Sequence, residues 1–374
     1  MAAYIKGVGM TRFGSADKSS HEMCYEAILE ALDDADLSLE KIGAIVVARN
    51  DFSSDGENQR LFGGMLSSVL QKSIPIIQVS AACASGGVAL WNAIRLEHEN
   101  VLAVGVEKLS PATTAQVTTD FLTAAQSVYE QDEGMIFPAQ YALVAQQYMK
   151  TYGATMGDLG LVALKNHENA STNEKAKFFG KNISKELLEK SPVVCSPFRV
   201  LDCSISVDGG AAAVVSKNNS DIEIAGSGLC TSPLGVFEMG DMTSFFSTKE
   251  AAKQAYQQAG IIAQDISLAE VHDAFTSAEL MAYEDLGFAK KGEGKQLIRE
   301  GKTKLNGPIP VNMSGGLKAR GHPVGATGLA QIYELVKQLR GEAGKRQVNN
   351  AKMGLAHNVG GCGTTAVVHV LRKL

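Results

Sequence analysis

Val311-Asn312-Met313-Ser314-Gly315-Gly316-Leu317-Lys318-Ala319-Arg320-Gly321-His322-Pro323-Val324-Gly325-Ala326-Thr327-Gly328 is the stretch on which the reading of this chain turns. It sets one histidine and one proline among closely spaced glycines, between a short apolar run and a helical pattern. Glycine there permits positive φ and close backbone approach, and Pro323 fixes the backbone just after His322. From Leu329, the residues Leu329, Ile332, Leu335, Val336 and Leu339 recur at helical spacing. The pattern predicts His322 on a rigid turn at the N-terminus of that helix. A loop histidine that merely caps the helix would leave the same pattern.

Outward from that stretch, composition narrows the classes. At 374 residues the chain can hold two or three core units. A net charge of -5, with no dense Lys/Arg run, argues against a nucleic-acid surface; the basic residues from Lys337 to Arg346 read as a solvated helix end. No apolar run approaches the roughly 20 residues that span a bilayer. Cysteines 24, 83, 195, 203, 230 and 362 form no tight framework and no Cys-x-x-Cys pair. The expectation is therefore reduced thiols, no metal, and a cytoplasmic location.

The chain repeats itself. Ile5 to Gly9 reads as a strand, Ser19-x-x-Glu22 as a capping box, Ile28, Ala31, Leu32 and Ala35 as the buried face of a helix, and Ile42 to Val47 as a buried strand. After residue 220 the plan returns: Ile222 to Gly228, a capping box at Ser247-x-x-Glu250, Ala255 and Ala259, then Ile266 to Val271 ending at His272. Ile76 to Val79 leads to Cys83 and a helix, as Ile309 to Val311 leads to His322 and a helix. Two β-α-β units, each too small to bury both faces, should stack and bring their strand-end loops to one site. Residues 116–200 have no counterpart in the second half; Tyr141, Tyr148 and Met149 there have helical spacing and read as an inserted lobe. The helix after Cys83 would favour thiolate through its dipole, whereas an apolar-flanked cysteine is also an ordinary core residue. His322 at a helix start should stay neutral and able to accept a proton.

The words Asn-x-x-Gly-Gly and Gly-His-Pro-x-Gly-Ala-Thr-Gly resemble the histidine loop of the thiolase superfamily. Ala-Ala-Cys-Ala-Ser-Gly-Gly at Cys83, Val-His-Asp-Ala-Phe at His272 and Asn-Val-Gly-Gly at Asn358 resemble that family's other loops, in its order and over nearly the whole chain. The His-Asp motif is similar to the archaeal and sterol-carrier-protein thiolases. The resemblance implies an α/β thiolase fold: two similar halves stacked as a five-layer αβαβα sandwich, with an inserted helical loop domain. Its divisions would be an N-terminal half at 1–115 completed by 203–218, a loop domain covering coenzyme A at 116–202, and a C-terminal half at 219–374.

The same resemblance implies an acyltransferase of the acetyl-CoA C-acetyltransferase type, joining two acetyl-CoA into acetoacetyl-CoA or the reverse. Cys83 would carry the acyl group, with His322 as its base and His272 at the thioester oxygen of the second substrate; a histidine tied to its neighbour Asp273 is the plain alternative. Gly360 and the Cys83 amide would form an oxyanion hole. Most thiolases place a second reactive cysteine where Asn358 aligns, and sterol-carrier-protein thiolases supply one where this chain has Ala274. The α-proton then falls to His272 first, with Cys362 or a water between His272 and Asn358 as alternatives. The remaining Cys/His/His set also resembles decarboxylating ketoacyl synthases. Other readings are a thiolase for longer, branched or aromatic 3-oxoacyl-CoAs and a non-catalytic acyl-CoA or lipid binder. Implied partners are acyl-CoA substrates, a homodimer or dimer of dimers pairing along Ile76 to Val79, a zinc-containing OB-fold protein and hydroxymethylglutaryl-CoA synthase. No cofactor beyond coenzyme A is implied. His21, His98, His167 and His369 read as surface or strand positions.

Overall fold

The computed structural model of the protein describes residues 2–374. Its strands are Tyr4–Met10 (β1), Ala44–Ala48 (β2), Ile76–Val79 (β3), Asn100–Glu107 (β4), Val193–Cys195 (β5), Phe198–Arg199 (β6), Gly209–Ser216 (β7), Ile222–Thr231 (β8), Leu268–Glu270 (β9), Met353–Gly360 (β10) and Thr365–Lys373 (β11). Hydrogen bonds join nine of them in the order β3-β2-β4-β7-β1-β8-β11-β10-β9, with β5 and β6 a separate hairpin. The halves of that order mirror each other. β3, β2 and β4 are parallel and β7 and β1 antiparallel; β9 and β10 are parallel and β11 and β8 antiparallel. Within the sheet the halves meet where Tyr4 and Ile5 pair with Glu223 and Ile222. The repeat in the sequence is thus a repeat in the fold.

Side chains of successive strand residues point to opposite faces, and the two faces of each half enter different cores. From β2, Ala44, Val46 and Ala48 join the core that holds Ala89, Leu90 and Ala93 of the helix Ser85–Ala93 and Leu329, Ile332, Leu335, Val336 and Leu339 of the helix Thr327–Arg340. Ile45 and Val47 face the other way, onto Ala27, Ile28, Ala31 and Leu32 of the helix Ser20–Asp34. In the second half, Val368 and Val370 of β11 pack with Ala251, Ala255 and Ala259 of the helix Phe246–Ala259. The layers therefore run helix, sheet, helix pair, sheet, helix, the expected five-layer αβαβα sandwich. Between β4 and β7 the chain carries four helices and the β5–β6 hairpin, and Tyr141, Val144, Tyr148, Leu159 and Val162 from that segment share the core of the second half.

Glycine lets the central helices start backbone to backbone. A Cβ on Gly328 would stand 2.2 Å from the Gly87 nitrogen, and one on Gly86 would stand 2.8 Å from the Gly328 nitrogen. This close crossing puts the Cys83 turn, which precedes one helix, beside the His322 turn, which precedes the other.

Several local expectations are corrected. Ser19 and Glu22 do form a capping box, but the helix Phe246–Ala259 begins two residues earlier than a cap at Ser247 implies, and the Ser247 hydroxyl donates to the Gly363 carbonyl instead. Ile309 to Val311 is no full strand, because only Val311 bridges Ala269. The basic helix end is clamped rather than solvated: Lys337 and Arg340 pair with Asp34, and Arg346 with Glu334. His167 is buried against Phe178 within the helix Met156–Ala170.

Candidate active site

Cys83 stands on a turn between β3 and the helix Ser85–Ala93. Ala82 has φ 48°, in the left-handed region that side chains with a Cβ rarely adopt. Its carbonyl holds the turn by accepting from the Ser85 hydroxyl at 2.6 Å and the Ser85 amide at 3.1 Å. Asn50, itself buried, adds a second anchor. Its Nδ2 donates to the Ala82 carbonyl and to Glu107, and its Oδ1 accepts from the Ser80 hydroxyl. Burial and the neighbouring Glu107 push the Cys83 thiol up to about 12. The helix dipole was expected to favour thiolate; desolvation outweighs it, so the resting group is a thiol.

His322 follows the short helix Gly316–Arg320 and precedes a 3-10 turn, Val324–Ala326, that leads into Thr327–Arg340. It lies one turn further from that helix than the spacing predicts. Its backbone amide donates to the Ile205 carbonyl at 2.9 Å. Its Nδ1 is 2.6 Å from Thr327 Oγ1. The Thr327 hydroxyl gives its own hydrogen to the Pro323 carbonyl, so Oγ1 accepts and Nδ1 carries the proton. Nε2 is then a bare lone pair, buried and without a partner among the described residues. Burial, with Arg320 nearby, lowers the His322 pKa to about 3. The neutrality expected from a helix start is present, but its causes are burial and a guanidinium.

His272 lies two residues past the end of β9, near the strand end that its position after the apolar run predicts. Its side chain does not bond Asp273, whose carboxylate instead accepts from the Leu317 amide and from Asn166 Nδ2. The partner of His272 is Asn358, whose Nδ2 lies 3.2 Å from His272 Nδ1. Asn358 Nδ2 also donates to the Cys83 carbonyl at 2.9 Å, and its Oδ1 accepts from the Gly87 amide at 3.1 Å. Those two backbone partners fix which end of the amide is which. A donor therefore faces Nδ1, and the His272 proton sits on Nε2. Burial, then His322 and His357, hold His272 well below the usual histidine range.

The sulfur of Cys83 and a ring nitrogen from each histidine all lie within 4.8 Å of one another. His322 has a free lone pair at Nε2, whereas His272 has its N–H at Nε2 and its one lone pair facing the Asn358 donor. Cys362 lies outside the trio, buried, its thiol pushed up by burial. Gly360 is against the Cys83 turn, since a Cβ there would stand 2.2 Å from the Ala81 carbonyl oxygen. Tyr141 stacks on Phe275 at 4.6 Å, with Phe198 at 5.1 Å from Phe275; burial and then Cys362 and Cys83 push the Tyr141 hydroxyl up.

Sequence reading missed several residues of this region. Glu107 accepts from Asn50 and from the Gly325 amide at 3.1 Å, and so ties the cysteine turn to the histidine turn. Burial outweighs those bonds and raises its pKa to about 8. His357 Nε2 is 2.9 Å from Thr248 Oγ1, and its Nδ1 faces the His272 amide. An acid at the end of the apolar run Val101 to Val106 was the one signal available for Glu107.

The family model for the thiolase N-terminal domain matches residues 3–195, and the model described as thiolase C-terminal domain-like matches residues 229–373. An acetyl-CoA acetyltransferase of Methanothermobacter thermautotrophicus is 39% identical, the match covering 99% of each chain. The benzoylsuccinyl-CoA thiolase subunit BbsB of Thauera aromatica is 33% identical, covering 96% of this chain and 94% of that one. Among solved structures, the one titled Ltp2-ChsH2(DUF35) aldolase superposes with a TM-score of 0.84 at 24% identity, covering 100% of this chain and 98% of that chain.

Proposed function

The chain belongs to the thiolase family, and from that premise we propose that it is an acyltransferase moving acyl groups between coenzyme A thioesters, of the acetyl-CoA acetyltransferase type. The observation that carries the reading is the convergence of Cys83, His272 and His322 with opposite hydrogen-bonding faces. His322 Nε2 takes the Cys83 proton as sulfur attacks the acyl-CoA carbonyl, and returns it to the departing coenzyme A. The acyl group is then held as a thioester on Cys83, and Nε2 is free again.

The second acetyl-CoA places its thioester oxygen at His272 Nε2–H, where a donor stabilises enolate charge. Its α-proton passes to His322, the member of the trio with a lone pair to accept it. The carbanion attacks the Cys83 thioester, whose oxygen meets the Gly360 and Cys83 amides; the carbon–sulfur bond breaks, the Cys83 sulfur takes the proton back from His322, and acetoacetyl-CoA leaves. Coenzyme A serves as substrate and product, with no further cofactor. Tyr141, near enough to Cys83 to interact with its charge and stacked on Phe275, favours a short acyl group; a thiolase for an aromatic 3-oxoacyl-CoA would need it displaced.

Pairing along β3, at one end of the strand order, supports a homodimer or a dimer of dimers. A zinc-containing OB-fold partner and hydroxymethylglutaryl-CoA synthase are proposed partners, the solved Ltp2-ChsH2(DUF35) assembly being the support for a partner of some kind. Among the described residues no helix is long and apolar enough to cross a membrane, in keeping with a cytoplasmic place. The test is exposure to acetyl-CoA followed by mass analysis of Cys83, with product analysis on a panel of 3-oxoacyl-CoAs plus coenzyme A. Acetyl on Cys83 and acetoacetyl-CoA as the favoured substrate support the reading. An unlabelled Cys83 with bound acyl-CoA would instead make the protein a binder.

A further inference from the structure

Cysteine and two histidines with donor atoms within 4.8 Å of one another form a set that zinc takes readily. A zinc-bound histidine turns its other ring nitrogen, as N–H, toward an oxygen acceptor. His322 meets that requirement, since Nδ1–H points at Thr327 Oγ1 and Nε2 is bare and unpartnered. His272 does the opposite. Its Nδ1 faces the Nδ2 donor of Asn358, and that amide cannot turn over without setting its oxygen against the Cys83 carbonyl and its NH2 against the Gly87 amide. With Nδ1 engaged by that donor and the proton on Nε2, neither ring nitrogen of His272 offers a free lone pair, and the cluster is one lone pair short.

We propose that Asn358 is a positioning residue that locks His272 in its Nε2–H form, and that this lock keeps soft divalent metals such as zinc out of the Cys83–His272–His322 cluster. The catalytic value of the lock rests on the acyl-transfer reading above; the tautomer and the metal exclusion rest on hydrogen bonds alone. An aspartate in place of Asn358 would accept where the asparagine donates. His272 would then carry its proton on Nδ1 and release Nε2 as a third ligand.

The experiment uses the full chain, labelled with 15N-histidine, and zinc chloride as the probe. Nitrogen–proton correlation spectra of the wild type should show His272 protonated on Nε2 and His322 on Nδ1; Asn358→Asp should move the His272 proton to Nδ1. Zinc titration, read by calorimetry, should give one ion per Asn358→Asp chain, about 10–100-fold tighter than wild type, the usual worth of a metal histidine's outer partner. Cys83→Ser in the Asn358→Asp background should abolish the gain. Should Asn358→Asp fail to fold, the wild-type spectra and Asn358→Ala, which removes the donor, decide the matter. His272 found as Nδ1–H in the wild type, or zinc bound by the wild type as tightly as by the variant, overturns the proposal. A Cys83 that never acylates, with spectra and zinc as expected, would defeat the acyl-transfer reading and leave the lock standing.

Discussion

His272 and His322 stand edge to face, their ring centroids 5.6 Å apart and their planes at 86°, with Asn358 donating to one and Thr327 accepting from the other. This opposition divides the chemistry. His322→Ala should slow acylation of Cys83 by about 10²–10⁴-fold, the usual worth of a general base. His272→Ala should leave acylation largely intact and slow the carbon–carbon step by a similar factor. Single-turnover labelling with acetyl-CoA, then a chase with a second substrate, separates the two. A variant of His272 that cannot acylate would overturn the division.

Cys83 and the buried Cys362, the two cysteines near Tyr141, are distinguishable in the same assay. Cys83→Ala should take up no acetyl group, whereas Cys362→Ala should label as wild type does, since Cys362 is outside the trio. Its thiol is buried with no base among the residues that bond it. Intact-mass measurement decides, and label retained in the Cys83 variant would reassign the nucleophile.

Glu107 sets the alkaline limb. Cys83 at about 12 and His322 at about 3 do not titrate between pH 5 and 8, whereas Glu107 does at about 8. Above that pH a carboxylate beside Cys83 opposes negative charge on sulfur, so the acylation rate should fall. Glu107→Gln should flatten that limb. The stability sign is set by the same shift: a folded pKa above the unfolded 4.5 contributes stability below pH 4.5, lost as pH rises through 8. Relative to wild type, the glutamine variant should therefore unfold at a higher temperature at pH 9 than the pH 5 comparison predicts.

Much of the layout was legible because it depends on period and order. The apolar run Ile42 to Val47 and its copy at Ile266 to Val271 announced the sheets, and the glycine-rich turns announced where they converge. What stayed hidden depends on contacts between distant segments. Nothing near Asn358 in sequence says that it faces His272 and the Cys83 carbonyl, or that the Asp273 carboxylate caps Gly316–Arg320 rather than binding its neighbour. Burial hid the rest. A helix-start cysteine reads as thiolate until desolvation is known, and Ser247 reads as a cap until Gly363 claims its hydroxyl.

The outermost strand β3 exposes Ile77 at 41%. An apolar, unpaired edge invites a second strand. Wild type should sediment as a dimer or larger at micromolar concentration, and Ile77→Lys, which leaves the site untouched, should shift it toward monomer. A monomeric wild type would contradict the pairing.

Gly328 is the position where fold and site are hardest to separate. A Cβ there would stand 2.2 Å from the Gly87 nitrogen and 2.4 Å from Asn358 Oδ1. The first contact is backbone at the start of the helix Ser85–Ala93, so the two central helices must part. The second is the oxygen that fixes the Asn358 amide. Gly328→Ala should cost about 1–3 kcal/mol, the range for overpacking a filled core. Gly240→Ala, with nothing within 4 Å of its Cβ, should stay within about 0.5 kcal/mol of wild type. Denaturant midpoints measure both. The site adds a second demand. Because the Asn358 amide is displaced with the helix, the folded fraction of Gly328→Ala should still acylate Cys83 through His322 but lose the His272-dependent step. A variant destabilised as expected, yet with an unaltered rate of condensation per folded molecule, would mean that the helix crossing and the Asn358–His272 bond are independent.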